Sequence, residues 1–527
     1  MEKLQELERL LFQGKITRRD FLAYVSAMGL SVAMSPLLAN STAHAATPKQ
    51  GGRLRIGSHS GATTESLDIT LLTDIMPQLV SQQCRNQLIV IDEKGVATPE
   101  LAENWESTPD AKQWIFNLRK GVEFHNGKPL DADDVIYSIN LSRTEKTKSP
   151  AKGILKPVTD IKKDGNNQVI FTLESGNADF PYFLAEVNLM VVPNGTTDFE
   201  KGMGTGPFIL KSWEPGVRAF TTRNPNYFKE GLPYFDEVET MALPDVVSRT
   251  SAVVTGELDV FARPDLKTVQ FLKKNKNVQI IDVPGYAHYT MPMLTTQKPF
   301  NDNNVRLGLK YAFDRELMLK QVLRGYGSLG NDHPISQKNR YFNSELPQRT
   351  YDPDKAKFYL KKAGMLDHTF ELYAADTAFA GAIDSALLFQ ESAEKAGVKL
   401  KTKKVPNDGY WEDVWMKKGM CWSFWYGRPT EDWMLSLVYA GSANWNESYW
   451  KNARFDKLLK EARSELNEVK RRDMYWEMQK IVHDEGSSII PIFSNFVYVA
   501  SSKLRYNTIA SNAMYDGRRI HERWWFA

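Results

Sequence analysis

Residues 101–138 read LAENWESTPDAKQWIFNLRKGVEFHNGKPLDADDVIYS. Trp114, Phe116 and Leu118 alternate with Gln113, Ile115 and Asn117, the period of a half-buried strand. Lys120-Gly121 and Asn126-Gly127 are turn pairs. Asp131 precedes a helix, with Asp133 and Asp134 in the first turn, where a carboxylate complements the helix dipole. Strand, turn and helix therefore follow one another within a single short block.

The same alternation runs outward along the chain. Leu54 and Ile56 interleave with Arg53 and Arg55 as a first strand, ending in the loop Ser58-His59-Ser60-Gly61. A helix is predicted over 74–84, and strands over 88–91 and 169–173. The segment TSAVVTGELDVF reads as a helix stopped by Gly256, then a strand at Val260-Phe261. One long helix is predicted over 302–323, with an apolar face at Val305, Leu309, Ala312, Phe313, Leu317 and Val322. Pro353 opens and Gly364 closes the next helix. Helices at 380–396, 454–466 and 469–485 and strands at 398–405, 489–493 and 496–499 follow. The class is α/β, with no internal repeat and no low-complexity linker.

At 527 residues, 42 % hydrophobic and 25 % charged, this is an ordinary globular chain of two to four domains at about 150 residues each. Lys+Arg is 67 against 64 for Asp+Glu, so there is no basic footprint for nucleic acid. The two cysteines, Cys84 and Cys421, exclude a disulfide scaffold, an all-cysteine zinc site and an iron–sulfur cluster. They lie far apart and are expected as two buried thiols. The 26 Phe, 21 Tyr and 13 Trp suit a protein that grips something small or extended by packing, and a large core uses Trp as well.

Residues 1–45 read as an export signal. Arg18-Arg19 precede an apolar stretch from Phe21 to about Ala39, and Ala43-His44-Ala45 has the small-x-small form of a cleavage site. The arginine pair points to the twin-arginine route. The stretch is short and broken by Ser26, Gly29, Ser31, Ser35 and Pro36, which argues against a membrane anchor. The remainder, 46–527, is expected to be soluble and periplasmic, without stable membrane insertion.

The block 101–138 resembles the signature block of the peptide/nickel (oligopeptide/dipeptide-binding) family 5 solute-binding proteins of ABC importers. GTGPFIL (204–210), NPNYF (224–228), GELDV (256–260), PFNDNNVRLGLKYAFDRE (299–316) and YDPDKAKFYLKKAG (351–364) are similar to that family's later blocks, in the same order. The resemblance implies a type II two-lobed binding-protein fold with a hinge and an extra subdomain inserted in lobe one. Lobe one would be 46–84, 200–285 and 486–527, the insertion 85–199, and lobe two 286–485. It also implies a monomer without cofactor that delivers a small-molecule or short-peptide ligand to a permease driven by a cytoplasmic ATPase.

Most of these blocks have structural reasons. His125-Asn126-Gly127 is a hairpin turn. GMGTGPF leads into a strand, so it is not a dinucleotide loop. Arg306 and Asp314-Arg315 are helix and packing charges, and His483-Asp484-Glu485 is expected to be solvated.

Three segments are candidates for the ligand site. The first is the loop with His59 and Ser60. The second is Tyr286 to Met291, where alternation sends Tyr286, His288 and Thr290 to one face and Tyr289 and Met291 to the other. The third is 409–448, with Trp411, Trp415, Trp422, Trp425, Trp433 and Trp445, from which Trp425 and Trp445 are the expected cleft walls. Trp422, Tyr426 and Asn446 are further candidates. In the peptide-binding relatives this region carries an aspartate that pairs with the ligand's ammonium. Arg428 stands at the nearest match here, which favours a carboxylate or other anion on the ligand, such as an opine, a modified amino acid or an acidic sugar. The other alignment keeps Asp432 as the ammonium anchor, and pairing of Arg428 with Glu431 or Asp432 is the structural alternative.

Two other classes compete. A hydrolase would need a nucleophile or metal motif, and HExxH, GxSxG and a P-loop are all lacking. A metal or nickel–metallophore receptor would draw on His59 and His288 with Met291 or Met293.

Overall fold

The alternation that opens the chain carries Leu54 and Ile56 into a fully buried core on strand Arg53–Ser58. That strand lies inside a seven-stranded sheet, in the computed structural model, which describes residues 48–527. The export-type segment 1–45 lies outside the described residues. In spatial order the strands are Val278–Val283, Phe496–Ser501, Val260–Ala262, Arg53–Ser58, Glu237–Ala242, Arg218–Arg223 and Phe208–Glu214. Arg53–Ser58 runs parallel to both of its neighbours. Leu54, Ile56, Val260, Tyr498 and Trp524 form the core of this lobe. Gly256 ends helix Val246–Thr255 at φ +84, a backbone angle that suits glycine.

The block 101–138 builds a separate four-stranded antiparallel sheet with helix Ala132–Leu141. Trp114, Phe116 and Leu118 are buried in its core. Asp131 accepts hydrogen bonds from the Asp133 and Asp134 amides, and the Asp134 carboxylate accepts from the Asp131 amide at 3.0 Å. This reciprocal cap fixes the helix start.

A second four-stranded antiparallel sheet orders Gly327–Leu329, Ser488–Ser494, His288–Pro292 and Ser423–Trp425. The chain passes between this sheet and the seven-stranded one at 283–288 and again at 494–496. The return crossing therefore lies after Ser494 and not at 486, because Ser488–Ser494 pairs with His288–Pro292 in the second sheet. The two crossings are tied together. The Ser494 amide donates to Ala287 O at 2.8 Å, and Asn495 Nδ2 donates to Asp282 Oδ1 at 2.7 Å.

The helix expected over 302–323 is two helices, Asn303–Ala312 and Arg315–Gln321. Asp314 breaks it: its backbone is extended and its carboxylate accepts from the Leu317 amide at 2.9 Å, capping the second helix. His483 is buried rather than solvated, because Lys310 Nζ and Arg349 Nη1 donate to its carbonyl at 3.0 and 3.1 Å. Cys84 and Cys421 are buried and free. Burial pushes the Cys84 thiol up to about 12. No helix among the described residues is long and apolar enough to cross a membrane.

Candidate functional site

Strand Ser423–Trp425 is the outer strand of its sheet. It pairs with His288–Pro292 on one side, and beyond Trp422, whose amide donates to Tyr373 O, no strand of the described residues pairs with its other edge. Such an edge offers unpaired N–H and C=O groups to an extended ligand.

A cavity of about 490 Å³ opens beside that edge, at the two chain crossings. One lobe contributes Tyr289, Phe379, Phe424 and Tyr426; the other contributes Arg263, Phe496 and Met514; the crossings contribute Ala287, Ser494 and Asn495. Tyr289 and Phe379 stack at 3.7 Å with their planes 5° apart, and Phe424 meets Tyr426 edge-to-face at 5.0 Å. The lining is thus rigid aromatic surface with a few polar groups, the usual chemistry of a small-molecule site. Arg263 reaches across from the first lobe, donating to Tyr426 Oη at 3.4 Å. Its backbone is left-handed, at φ +59, a strained conformation for arginine. Tyr515 Oη donates to Gly57 O at 2.8 Å and accepts from the Ala262 amide at 3.0 Å, pinning two strand ends at this rim.

His59 lies on the loop that follows the first strand. Its Nδ1 is buried without a partner. Burial, then the charges of Arg263 and Arg249, lowers its pKa to about 4, so the ring is neutral at pH 7. Ser60 Oγ accepts from the Met76 amide at 3.1 Å and holds the start of helix Ile75–Cys84.

At the end of the edge strand, Gly427 has φ +73, and a Cβ there would sit 2.3 Å from Tyr286 O. Only glycine fits, and the turn it makes positions Arg428. Arg428 Nη1 donates to Gly427 O at 2.6 Å, and its guanidinium lies 5.6 Å from the Trp433 ring. Burial pulls its pKa down, opposed by the charge of Glu186. Neither nearby carboxylate pairs with it. Glu431 Oε1 accepts from the Tyr341 amide at 2.6 Å, and Asp432 forms an ion pair with Arg463 at 3.2 Å. Arg428 therefore keeps most of its five donors free of any carboxylate, while the Asp432 carboxylate is already engaged.

His288 is fully buried behind this turn. Its Nδ1 is 3.2 Å from Tyr286 O, its Nε2 has no partner, and burial lowers its pKa to about 4, with the Arg428 charge adding to the effect. Tyr286 is buried and donates to Lys338 O at 3.4 Å. The face that reaches the cavity is that of Tyr289. Met291 and Met293 are fully buried in the second lobe's core and present nothing to the cleft. No group of three or more His, Cys, Asp or Glu among the described residues could hold a metal ion.

The tryptophans divide by strand face. Trp422 is fully buried against Phe313 and Phe379 in the core. Trp425 is buried too, packed on Trp415 and on Trp445, which is 47 % exposed. Asn446 Nδ2 donates to Trp450 O at 2.6 Å and shapes its own loop. Tyr426 is the member of the aromatic candidates that lines the cavity, together with Phe424, Phe379 and Arg263, which the sequence reading did not select.

Residues 96–447 match the family described as bacterial extracellular solute-binding proteins, family 5. The oligopeptide-binding protein AppA of Bacillus subtilis is 26 % identical, over 95 % of this chain and 97 % of its own. Two solved structures share the fold. Helicobacter pylori DppA, in complex with the peptide STSA, has a TM-score of 0.73 at 22 % identity and covers 91 % of this chain and 98 % of its own. The binding protein AgaA of A. tumefaciens R10, in complex with agropinic acid, has a TM-score of 0.72 at 21 % identity, covering 90 % and 99 %.

Proposed function

This chain belongs to family 5 of the bacterial extracellular solute-binding proteins, and from that premise we propose that it captures a small peptide-like or related polar organic solute between its lobes. It delivers that solute to an ABC permease driven by a cytoplasmic ATPase. The observation that carries this reading is the unpaired edge of Ser423–Trp425 beside an aromatic cavity of about 490 Å³. An extended ligand adds to the edge through its backbone, and its side chains meet Tyr289, Phe379, Phe424 and Tyr426.

Arg428 favours one subclass within this reading. A guanidinium with no carboxylate partner forks onto an anion, so the ligand places a carboxylate or similar group at the end of the edge strand. That suits an opine, a modified amino acid or an acidic conjugate better than the free amine of an ordinary peptide. The protein binds and releases without turnover, as a monomer. It is exported by the twin-arginine route on residues 1–45. Its lobes are 46–84, 200–285 and the C-terminal stretch, against 286–485 with strand Ser488–Ser494, and 85–199 is the inserted subdomain.

The test is thermal unfolding of residues 46–527 against di- and tripeptides, opine-like conjugates, acidic sugars, and nickel with and without a chelator. A ligand at about 100 times its Kd adds roughly 2.7 kcal/mol of stability. Stabilisation by carboxylate-rich conjugates supports the anion reading. Stabilisation by free-amine peptides alone retires it and leaves the peptide reading. No response to any member overturns both.

A further inference from the structure

The inserted subdomain is continuous in chain with the seven-stranded lobe at both of its ends, and no segment runs directly from it into the second lobe. On the first-lobe side it is bound by a buried network. Glu100 is paired with Arg519 at 2.9 Å and Lys229 at 2.7 Å, and Glu522 joins both cations. Among the described residues, its ion pairs and ring–ring contacts with the second lobe fall within residues 176–186, and Gly95 comes close enough to the second lobe that a Cβ on it would sit 2.9 Å from Tyr286 Oη. Asp179 there is fully buried. Arg471 meets both its oxygens at 2.8 Å, and Arg340 meets one at 3.1 Å. Arg340 Nη1 also lies 3.4 Å from Tyr182 Oη. The Ala178 amide donates to Arg463 O at 2.8 Å, and Phe183 packs edge-to-face on Trp433 at 5.2 Å.

We infer that Asp179 is a latch: its two-arginine clasp holds the inserted subdomain on the second lobe, and the cleft opens only when that clasp separates. Opening must break one of the two networks. The first-lobe network is backed by continuous chain at both ends of the subdomain, so the Asp179 seam is where the molecule parts. The latch also reaches the ligand anchor. Trp433 carries Phe183 of the inserted subdomain on its ring, and the Arg428 guanidinium lies 5.6 Å from the same ring. An anion that draws Arg428 into place therefore steadies the surface against which the latch closes. Asp179 is a positioning residue, since it acts through the lobes and not on the solute.

This inference rests on the binding reading only for its purpose; the test is independent of the ligand. Dyes are placed at Asn166→Cys and Lys460→Cys, exposed on the inserted subdomain and the second lobe, and both native thiols are buried. Energy transfer then reads the closed-to-open ratio with no ligand added. Asp179→Asn is expected to lower that ratio by about tenfold or more, since removing one partner of a buried charge pair is among the costliest single losses. Arg340→Gln, whose side chain is partly exposed, is expected to lower it less and serves if Asp179→Asn does not fold. Dissociation of whichever panel ligand stabilises the wild type is expected to quicken in step. A folded variant with a reduced Tm and an unchanged distance distribution would overturn the latch and leave it a packing contact. That result would not touch the binding reading, which the thermal panel on the wild type decides separately.

Discussion

Arg428→Ala separates a binding role from a folding role. In the folded chain the guanidinium makes one hydrogen bond, to the carbonyl just before it, and one ring contact with Trp433. Each is worth about 1 kcal/mol. Against them stands the cost of holding a half-buried charge without a carboxylate partner, which burial registers as a lowered pKa. These terms nearly offset, so the substitution should change stability by no more than about 1 kcal/mol, a Tm shift of a few degrees at most. Binding is a different matter. Removing one partner of a desolvated charged hydrogen bond costs roughly 2 to 5 kcal/mol, or about 30-fold to several thousand-fold in Kd. Isothermal titration with the best ligand of the panel measures this directly. Arg428→Lys keeps the charge but loses the fork, and should fall between wild type and alanine. Affinity within about threefold of wild type in Arg428→Ala would refute the anchor and, with it, the preference for an anionic solute.

Three further outcomes are expected. Gly427→Ala forces a left-handed alanine, about 1 to 2 kcal/mol, and drives its Cβ into the Tyr286 carbonyl; thermal unfolding should show a loss beyond that range together with a weakened ligand response, and a neutral substitution would mean the turn is not rigid. Trp422→Ala should cost about 3 to 5 kcal/mol in denaturant unfolding, because the ring is fully buried; a loss under about 1 kcal/mol would remove it from the core. The pH dependence follows from the histidines. His125 and His288 are held at about 4 by burial, whereas an unfolded histidine titrates near 6.5. As pH falls below about 6.5 the unfolded chain takes up protons first, so stability is complete above that value and is lost toward pH 4. Urea midpoints should drop steadily from pH 7 to 5, and His125→Gln should flatten the fall; a midpoint constant over that span would contradict the buried neutral rings.

What periodicity encodes was readable, and what depends on register was not. Trp114, Phe116 and Leu118 alternate, and the alternation is the burial. Asp131 with Asp134 reads as a cap and is one. Asp314 escaped because an acidic residue capping a new helix looks, in one dimension, like an acidic residue on the surface of a continuing one. The site failed for a related reason. Size drew attention to Trp425 and Trp445, but on an outer strand the side chains alternate across the sheet. Phe424 and Tyr426 take the cavity face and Trp425 the packed one. At the first crossing the same rule correctly divided Tyr286, His288 and Thr290 from Tyr289 and Met291, yet it gave no means of saying which face was open. Arg263 carried no signal at all: its reach across the cleft depends on a left-handed backbone that follows a strand end.

The arrangement at Asp179 bears on how such a protein can both hold and release its solute. An ion pair buried as deeply as Asp179 and Arg471 gains little net stability, because desolvating both ions consumes most of their attraction. Its value lies in geometry. The carboxylate satisfies two guanidiniums in one relative placement of the subdomains, and any sliding leaves buried charge unmatched. A hydrophobic seam of equal area would close as firmly but over many registers, and would hold a wrong solute as readily as a right one. If the closed fraction of the free protein is f, apparent affinity scales with f. Strengthening the seam raises affinity only until f nears one, and thereafter slows opening at the permease. A seam of charges that is exact in placement and modest in net energy keeps f below that limit, which leaves the deciding share of closure to the ligand's own contacts, at Arg428 under the reading proposed above.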